Sequence, residues 1–280
     1  MTRVVGGAVF KNSIKRYLPP IVTENVGLVR AHREYVKNKD VFRKNKELYL
    51  KHKGESLLII GNGPSLKKVD LSRLNHLKIF ACNDFYLHKD FKDIKVDYFF
   101  NLDPREVWFN NVLKTVDSKT LDSMRFILPF EKIEKCKEYL QEIKHQNYVI
   151  HGGSEYSRYT KYLDLSKPIL GIINILQVFL IAARYMGFKN VYLVGFDYSF
   201  LAYKSKGAIP HFHEKDERAF RPKPEKGEYI RVTCNAGRLF RSLEHLLSSI
   251  EKDMNVYNAN YEDCYLDLFE ELSLESLYCS

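Results

Sequence analysis

Several short clusters combine residue types that bind nucleotides or move protons. The first is Gly61-Asn62-Gly63-Pro64-Ser65, directly after the apolar run Ser56-Leu57-Leu58-Ile59-Ile60. Glycines let a backbone approach a ligand and turn its N–H groups toward phosphate. Asn62 and Ser65 add side-chain donors. The cluster is neither a P-loop, lacking the Gly-Lys-Ser/Thr ending, nor G-x-G-x-x-G. A tight strand-to-helix turn is the plain alternative. Cys82-Asn83-Asp84 ends the next apolar run and Asn101-Leu102-Asp103-Pro104 the one after, each an amide or carboxylate where a strand would stop. Singly, such residues serve as caps and turns; in consecutive units at the same end they suggest a shared crevice. Gly195-Phe196-Asp197-Tyr198 repeats the arrangement, with Asp197 placed for a hydroxyl or for a cap. Finally, His211-Phe212-His213-Glu214 offers imidazoles suited to accept a proton near neutral pH. An i, i+2 histidine pair is a weak metal signature, and no metal site is expected.

The elements that must hold these clusters read as an α/β fold. Apolar runs at 56–60, 78–82, 97–101, 125–128, 148–150 and 191–194 have the length and composition of buried parallel strands. Helical spacing lies between several of them, notably over 131–143 and 171–186, and again from 235 to 251. Alternation of this kind predicts a Rossmann-like, mostly parallel sheet with helices on both faces, binding ligands beyond the carboxyl ends of its strands. A short strand at Val256-Tyr257 and a terminal helix complete the chain. Residues 1–50 are expected to form an N-terminal arm and surface helices, and 51–280 the catalytic domain. Within it the polar, proline-bearing stretch 198–230 reads as an irregular lid loop.

Composition narrows the partners. The 280 residues carry a net charge of +9, which favours acidic ligands: nucleotides, substrate phosphates or an anionic membrane face. No helix-turn-helix, zinc-finger or RNP pattern is present, so nucleic acid is not expected. The five cysteines are scattered without a C-x-x-C pair, which suits a reducing cytosol. Residues 1–22 lack the apolar core of a signal peptide but could form a basic amphipathic segment resting on a membrane. The longest apolar run, Ile169 to Ala183, is shorter than the roughly 20 residues a membrane span needs.

The stretches Leu58 to Lys67, Asp70-Leu71-Ser72-Arg73-Leu74 and Cys82-Asn83-Asp84-Phe85-Tyr86 resemble the bacterial sialyltransferases of glycosyltransferase family 42. They also resemble the broader MptE-like group, named after a hydroxymethylpterin pyrophosphokinase. Tyr185 to Asp197, followed by His211-Phe212-His213, looks like the same group's second half. The resemblance implies a GT-A-like variant of the Rossmann fold, a CMP-activated sugar as donor and no tightly bound cofactor. It sets Asn62, Gly63 and Ser65, with Gly61, around the nucleotide phosphate and ribose. Asn83, Asp84 and Asn101 would lie toward the nucleotide or donor sugar, and Gly195 and Asp197 would line the cytidine pocket. A histidine in a mobile loop, matching His213 or His211, would be the general base, and Tyr198 and Tyr203 would steady the departing phosphate. Where family members carry a Thr-Ser-Gly turn, this chain reads Ile169-Leu170-Gly171-Ile172-Ile173 and keeps only Gly171.

The activity expected is therefore inverting transfer of a sialic-acid-like or other CMP-linked sugar to a surface-glycan hydroxyl, such as one on lipopolysaccharide or capsule. The enzyme would be bacterial and cytoplasmic, with peripheral contact on the inner membrane face. The alternatives are Mg²⁺-dependent diphosphate transfer from ATP to a pterin-like alcohol and a non-catalytic nucleotide- or glycan-binding subunit.

Overall fold

The computed structural model describes residues 20–102, 106–133, 136–149, 151–152, 163–170, 172–198, 212, 227–260, 262, 264 and 266–279, apart from the side chains of 20–28, 151–152, 170, 228–229 and 231–232. Its strands are β1 (Ser56–Ile60), β2 (Lys78–Cys82), β3 (Tyr98–Phe100), β4 (Arg125–Pro129), β5 (Gln146–Val149), β6 (His151–Gly152), β7 (Ile169–Leu170), β8 (Asn190–Val194), β9 (Asn255–Asn258) and β10 (Glu270–Glu271). Its helices are α1 (Pro20–Lys37), α2 (Lys39–Arg43), α3 (Glu106–Thr115), α4 (Ser118–Ser123), α5 (Lys137–Leu140), α6 (Ile175–Met186), α7 (Glu228–Ile250) and α8 (Leu274–Tyr278).

Eight strands form one sheet in the order β10-β9-β8-β1-β2-β3-β4-β5, with every neighbouring pair parallel. β6 and β7 pair separately, also in parallel. β1 is central, and Leu57, Leu58, Ile59 and Ile60 are all fully buried, as an unbroken apolar run requires when both sheet faces are covered. Alternation then splits them. Leu57 and Ile59 join α6 and the Leu239, Leu243, Leu246 and Ile250 stripe of α7 in one core. Leu58 and Ile60 join Leu66, Leu71 and Leu74 of the β1–β2 connection, with Trp108, Phe109 and Val112 of α3, in the other. From β1 the chain steps outward to β2; from β8 it steps the opposite way to β9. Right-handed crossovers put these two connections on opposite faces, as the two cores show.

Three local outcomes differ from the sequence reading. The described residues of the segment 131–143 hold a 3₁₀ turn (Phe130–Lys132) and the four-residue α5, where the spacing predicted one helix. Its helical spacing is met piecewise, because Cys136, Leu140 and Ile143 still reach the core. The β1–β2 connection holds 3₁₀ turns at Pro64–Lys68 and Leu71–Leu74 in place of a helix. α7 begins at Glu228, earlier than expected, after Gly227 in the left-handed region (φ 83°). α6 starts at Ile175 because Asn174 and Gln177 form a capping box, and it ends on Gly187 at φ 85°. Among the described residues, no helix is long and apolar enough to cross a membrane.

Candidate functional site

The strand order reverses between β1 and β8, and the loops leaving these two strands diverge to opposite faces. Open α/β sheets hold ligands in the crevice such a switch point creates. The glycine clusters meet there. A Cβ on Gly61 would lie 2.8 Å from the Gly195 carbonyl carbon and closer still to its oxygen. A Cβ on Gly63 would run into the Asp197 carboxylate, 2.8 Å from Oδ2. Gly195 itself has φ 71°, a conformation open mainly to glycine. The glycines are therefore needed for contact between two turns.

Hydrogen bonds lock that contact. The Gly61 N–H donates to the Val194 carbonyl (2.8 Å) and the Gly63 N–H to the Gly195 carbonyl (2.7 Å). Asp197, 3 % exposed, accepts from the Ser65 N–H at 2.8 Å on Oδ2 and from the Ser65 hydroxyl on Oδ1. The sequence reading assigned the turn's N–H groups and Ser65 to a phosphate. In the structure the donors of Gly61, Gly63 and Ser65 are already committed to protein acceptors, and a phosphate could recruit them only by breaking these bonds. What this turn contributes is shape, with Asp197 as the buried clasp that holds it.

The rim is made of amides. Asn62 donates from Nδ2 to the Cys82 carbonyl at 3.2 Å, tying the β1 turn to the end of β2. Asn83 adopts φ 52°; its N–H donates to the Phe100 carbonyl, and its own carbonyl accepts from Trp108 Nε1 at 2.7 Å. The only tryptophan of the chain thus fixes Asn83 in its unusual conformation. Asn101, 4 % exposed, follows β3. Asp84, 8 % exposed, follows Asn83, and its carbonyl accepts from the Leu87 N–H at 2.9 Å.

Two further amides escaped the sequence reading. Asn258, 4 % exposed, ends β9 and accepts from the Asn260 N–H at 3.1 Å; Asn260 Oδ1 accepts from the Gly195 N–H at 3.2 Å. The signal was available: an Asn at a strand's carboxyl end, as in Asn83 and Asn101. Cys264 lies beside them and donates its S–H to the Phe196 carbonyl at 3.0 Å. Burial pushes its thiol up.

Tyr198 has φ 51° and packs edge-on against Phe240 of α7, with ring centroids 5.7 Å apart. Burial raises its phenol far above the ordinary value, so it stays protonated. Of the expected lid 198–230, Tyr198, Phe212 and residues 227–230 are described. Phe212 donates its N–H to the Asn62 carbonyl (3.1 Å), and its ring lies 5.0 Å from His88. His88 is 6 % exposed, stacks on Phe85, accepts from the Asp90 N–H and donates to the Leu66 carbonyl. Burial is the main cause that pushes its imidazole below the usual value. No motif marked His88, which buttresses the turn from outside. His211, His213, Tyr203, Gly171 and Asp103 lie outside the described residues. Among those described, no three His, Cys, Asp or Glu side chains converge as metal ligands.

The structure is similar to that of the sialyltransferase CstII from Campylobacter jejuni, solved in complex with a substrate analogue, cytidine-5'-monophosphate. Identity is 18 %, coverage 79 % of this chain and 86 % of that one, and the TM-score 0.47. It is also similar to the MAf glycosyltransferase from Magnetospirillum magneticum AMB-1, with 14 % identity, coverage of 85 % of this chain and 39 % of that one, and a TM-score of 0.49. Curated proteins yield no match. The family model described as 6-hydroxymethylpterin diphosphokinase MptE-like matches residues 32–202, more than half of the chain and most of the crevice, and the chain belongs to this MptE-like family.

Proposed function

We propose that the chain is a transferase that binds a CMP-activated sugar in the switch-point crevice and passes the sugar, with inversion, to a glycan hydroxyl. The observation that carries this reading is the Cβ-free meeting of Gly61 with Gly195, clasped by Ser65 and Asp197, where open α/β sheets bind nucleotides. The rim suits such a ligand. Asn62, Asn83, Asn101, Asn258 and Asn260 bring amides to it, and an amide that makes a protein bond, as those of Asn62, Asn258 and Asn260 do, still has a second donor or lone pair for a base or a sugar. The choice of CMP comes from the motif resemblance. A monophosphate leaving group also suits the crevice, whose described carboxylates are buried. His213 or His211 takes the acceptor's proton as the hydroxyl attacks the anomeric carbon and CMP departs. Phe212, which separates the two histidines in sequence, is hydrogen-bonded to the Asn62 carbonyl, and that bond supports the assignment. We place the enzyme in the cytoplasm.

The family description favours a second reading, transfer of diphosphate from ATP to a pterin-like alcohol. That chemistry asks for carboxylates that hold Mg²⁺. Among the described residues, no three His, Cys, Asp or Glu side chains converge to hold that ion, and both oxygens of Asp197 already accept from Ser65.

A thermal-shift and calorimetric panel of CMP, CDP, UDP, GDP and ATP, with and without Mg²⁺, separates the readings. Selective, metal-independent stabilisation by CMP is expected; selective stabilisation by ATP with Mg²⁺ overturns it in favour of the second. Replacing both His211 and His213 by Ala should abolish transfer and spare CMP binding, whereas full turnover refutes the assigned base. Tight CMP binding without turnover on any acceptor would make the chain a binding subunit.

A further inference from the structure

A cleft of about 1260 Å³ lies at the other end of the sheet, among the segments that lead into β1, β8 and β9. β1 and β8 have five residues each, so roughly 16 Å of strand separates this cleft from the crevice. Its walls carry five cations, Lys46, Lys53, Lys167, Arg184 and Lys189, against two carboxylates, Asp164 and Asp253. Both carboxylates are already neutralised: Asp164 pairs with Lys167 at 3.3 Å and Asp253 with Arg184 at 2.8 Å. The ion pairs among the described residues leave out Lys46, Lys53 and Lys189.

The carboxyl end of α6 also points here, and its carbonyls would oppose an anion. They are covered. Leu50, His52 and Gly54 donate their N–H groups to the carbonyls of Tyr185, Met186 and Gly187 at 3.0, 2.8 and 2.8 Å. These bonds cancel the acceptor end of the helix and hold the 49–54 wall in place, with Leu50 kept at φ 53°. Beside the lysines stands Tyr49, 60 % exposed; buried Tyr185 backs it, with ring centroids 5.3 Å apart at an interplanar angle of 58°.

We propose that this cleft binds an acidic oligosaccharide, with carboxylate or phosphate groups on Lys46, Lys53 and Lys189 and a sugar ring against Tyr49. Its volume exceeds the roughly 300–1,000 Å³ of a small-molecule pocket, which favours several linked rings over a lone phosphate. An exposed aromatic face such as that of Tyr49 suits the apolar face of a sugar, and ammonium groups suit its anionic substituents. The site is separate from the crevice and does not depend on the reaction assigned there.

The test is fluorescence anisotropy of the full chain with labelled hexagalacturonate. Maltohexaose, inorganic phosphate and a single-stranded oligothymidylate serve as competitors. Hexagalacturonate should bind and resist competition by the other three. Affinity should fall at least about ten-fold in Lys53→Glu/Lys189→Glu and several-fold in Tyr49→Ala. Any stabilisation by nucleotide should match that of the wild type in each variant, so failure of the cleft and failure of the crevice reading are told apart. If the double variant does not fold, Lys53→Gln and Tyr49→Ala carry the comparison. Lack of binding, equal affinity in the variants, or displacement by phosphate or oligothymidylate at concentrations matching the hexamer overturns the proposal.

Discussion

Adding one methyl group at Gly61 tests whether the meeting of the two turns is the structural centre of the crevice. In Gly61→Ala the new Cβ lies 2.8 Å from the Gly195 carbonyl carbon, and its two closest clashes are with Gly195 backbone rather than a side-chain end that could yield. Relief requires the β1 and β8 turns to part. That movement breaks the Gly61 N–H bond to Val194 (2.8 Å) and the Gly63 N–H bond to Gly195 (2.7 Å). Each such bond is worth about 1 kcal/mol net. Overpacking adds about 1–3 kcal/mol, so the expected loss is about 3–5 kcal/mol. For a chain of this size that lowers Tm by roughly 10 °C. The control is Gly54→Ala. Gly54 has a left-handed backbone, φ 84°, which Gly61 does not, but an added Cβ there meets nothing within 4 Å. Only the backbone penalty applies, about 1–2 kcal/mol. Scanning calorimetry of both variants, repeated with the best nucleotide of the panel, reads stability and crevice together. If Gly61→Ala melts within about 2 °C of Gly54→Ala, or keeps full nucleotide stabilisation, the account of the crevice is wrong.

Two further substitutions probe the residues around the turn. Ser65→Ala and Asp197→Asn should each cost about 2–3 kcal/mol, because each leaves a buried polar group short of its partner. Together they should cost clearly less than the sum; additive losses in urea unfolding would show that the clasp does not act as a unit. His88 has its folded-state value depressed, so the unfolded chain takes up the proton first as pH falls through about 6.5. Its contribution therefore lowers stability from about pH 7 toward pH 5. His88→Phe keeps an aromatic ring between Phe85 and Phe212 but removes that titration, so its Tm relative to wild type should rise on acidification. Parallel Tm curves for the two proteins would refute the buried, neutral imidazole.

Several features could be read from residues alone. Four consecutive fully buried aliphatics before a glycine left little choice but a central parallel strand, and β1 and β2 lie where their apolar runs predicted. Asn83 and Asn101 were visible because the end of an apolar run is also the end of a strand. Helical spacing over 131–143 misled, since short turns can present the same period to a core. Tertiary structure decided what each polar group does. The N–H groups of Gly61, Gly63 and Ser65 looked like phosphate donors, but a donor is available only if no protein acceptor reaches it first. The Val194 and Gly195 carbonyls and the Asp197 carboxylate that reach them lie more than 130 residues away in the chain. The amides of Asn258 and Asn260, the buttress of His88 and the basic cleft likewise come from distant segments. Local sequence sets strand length and turn chemistry. Strand order determines which turns meet, and it depends on long-range packing that no short window of residues records.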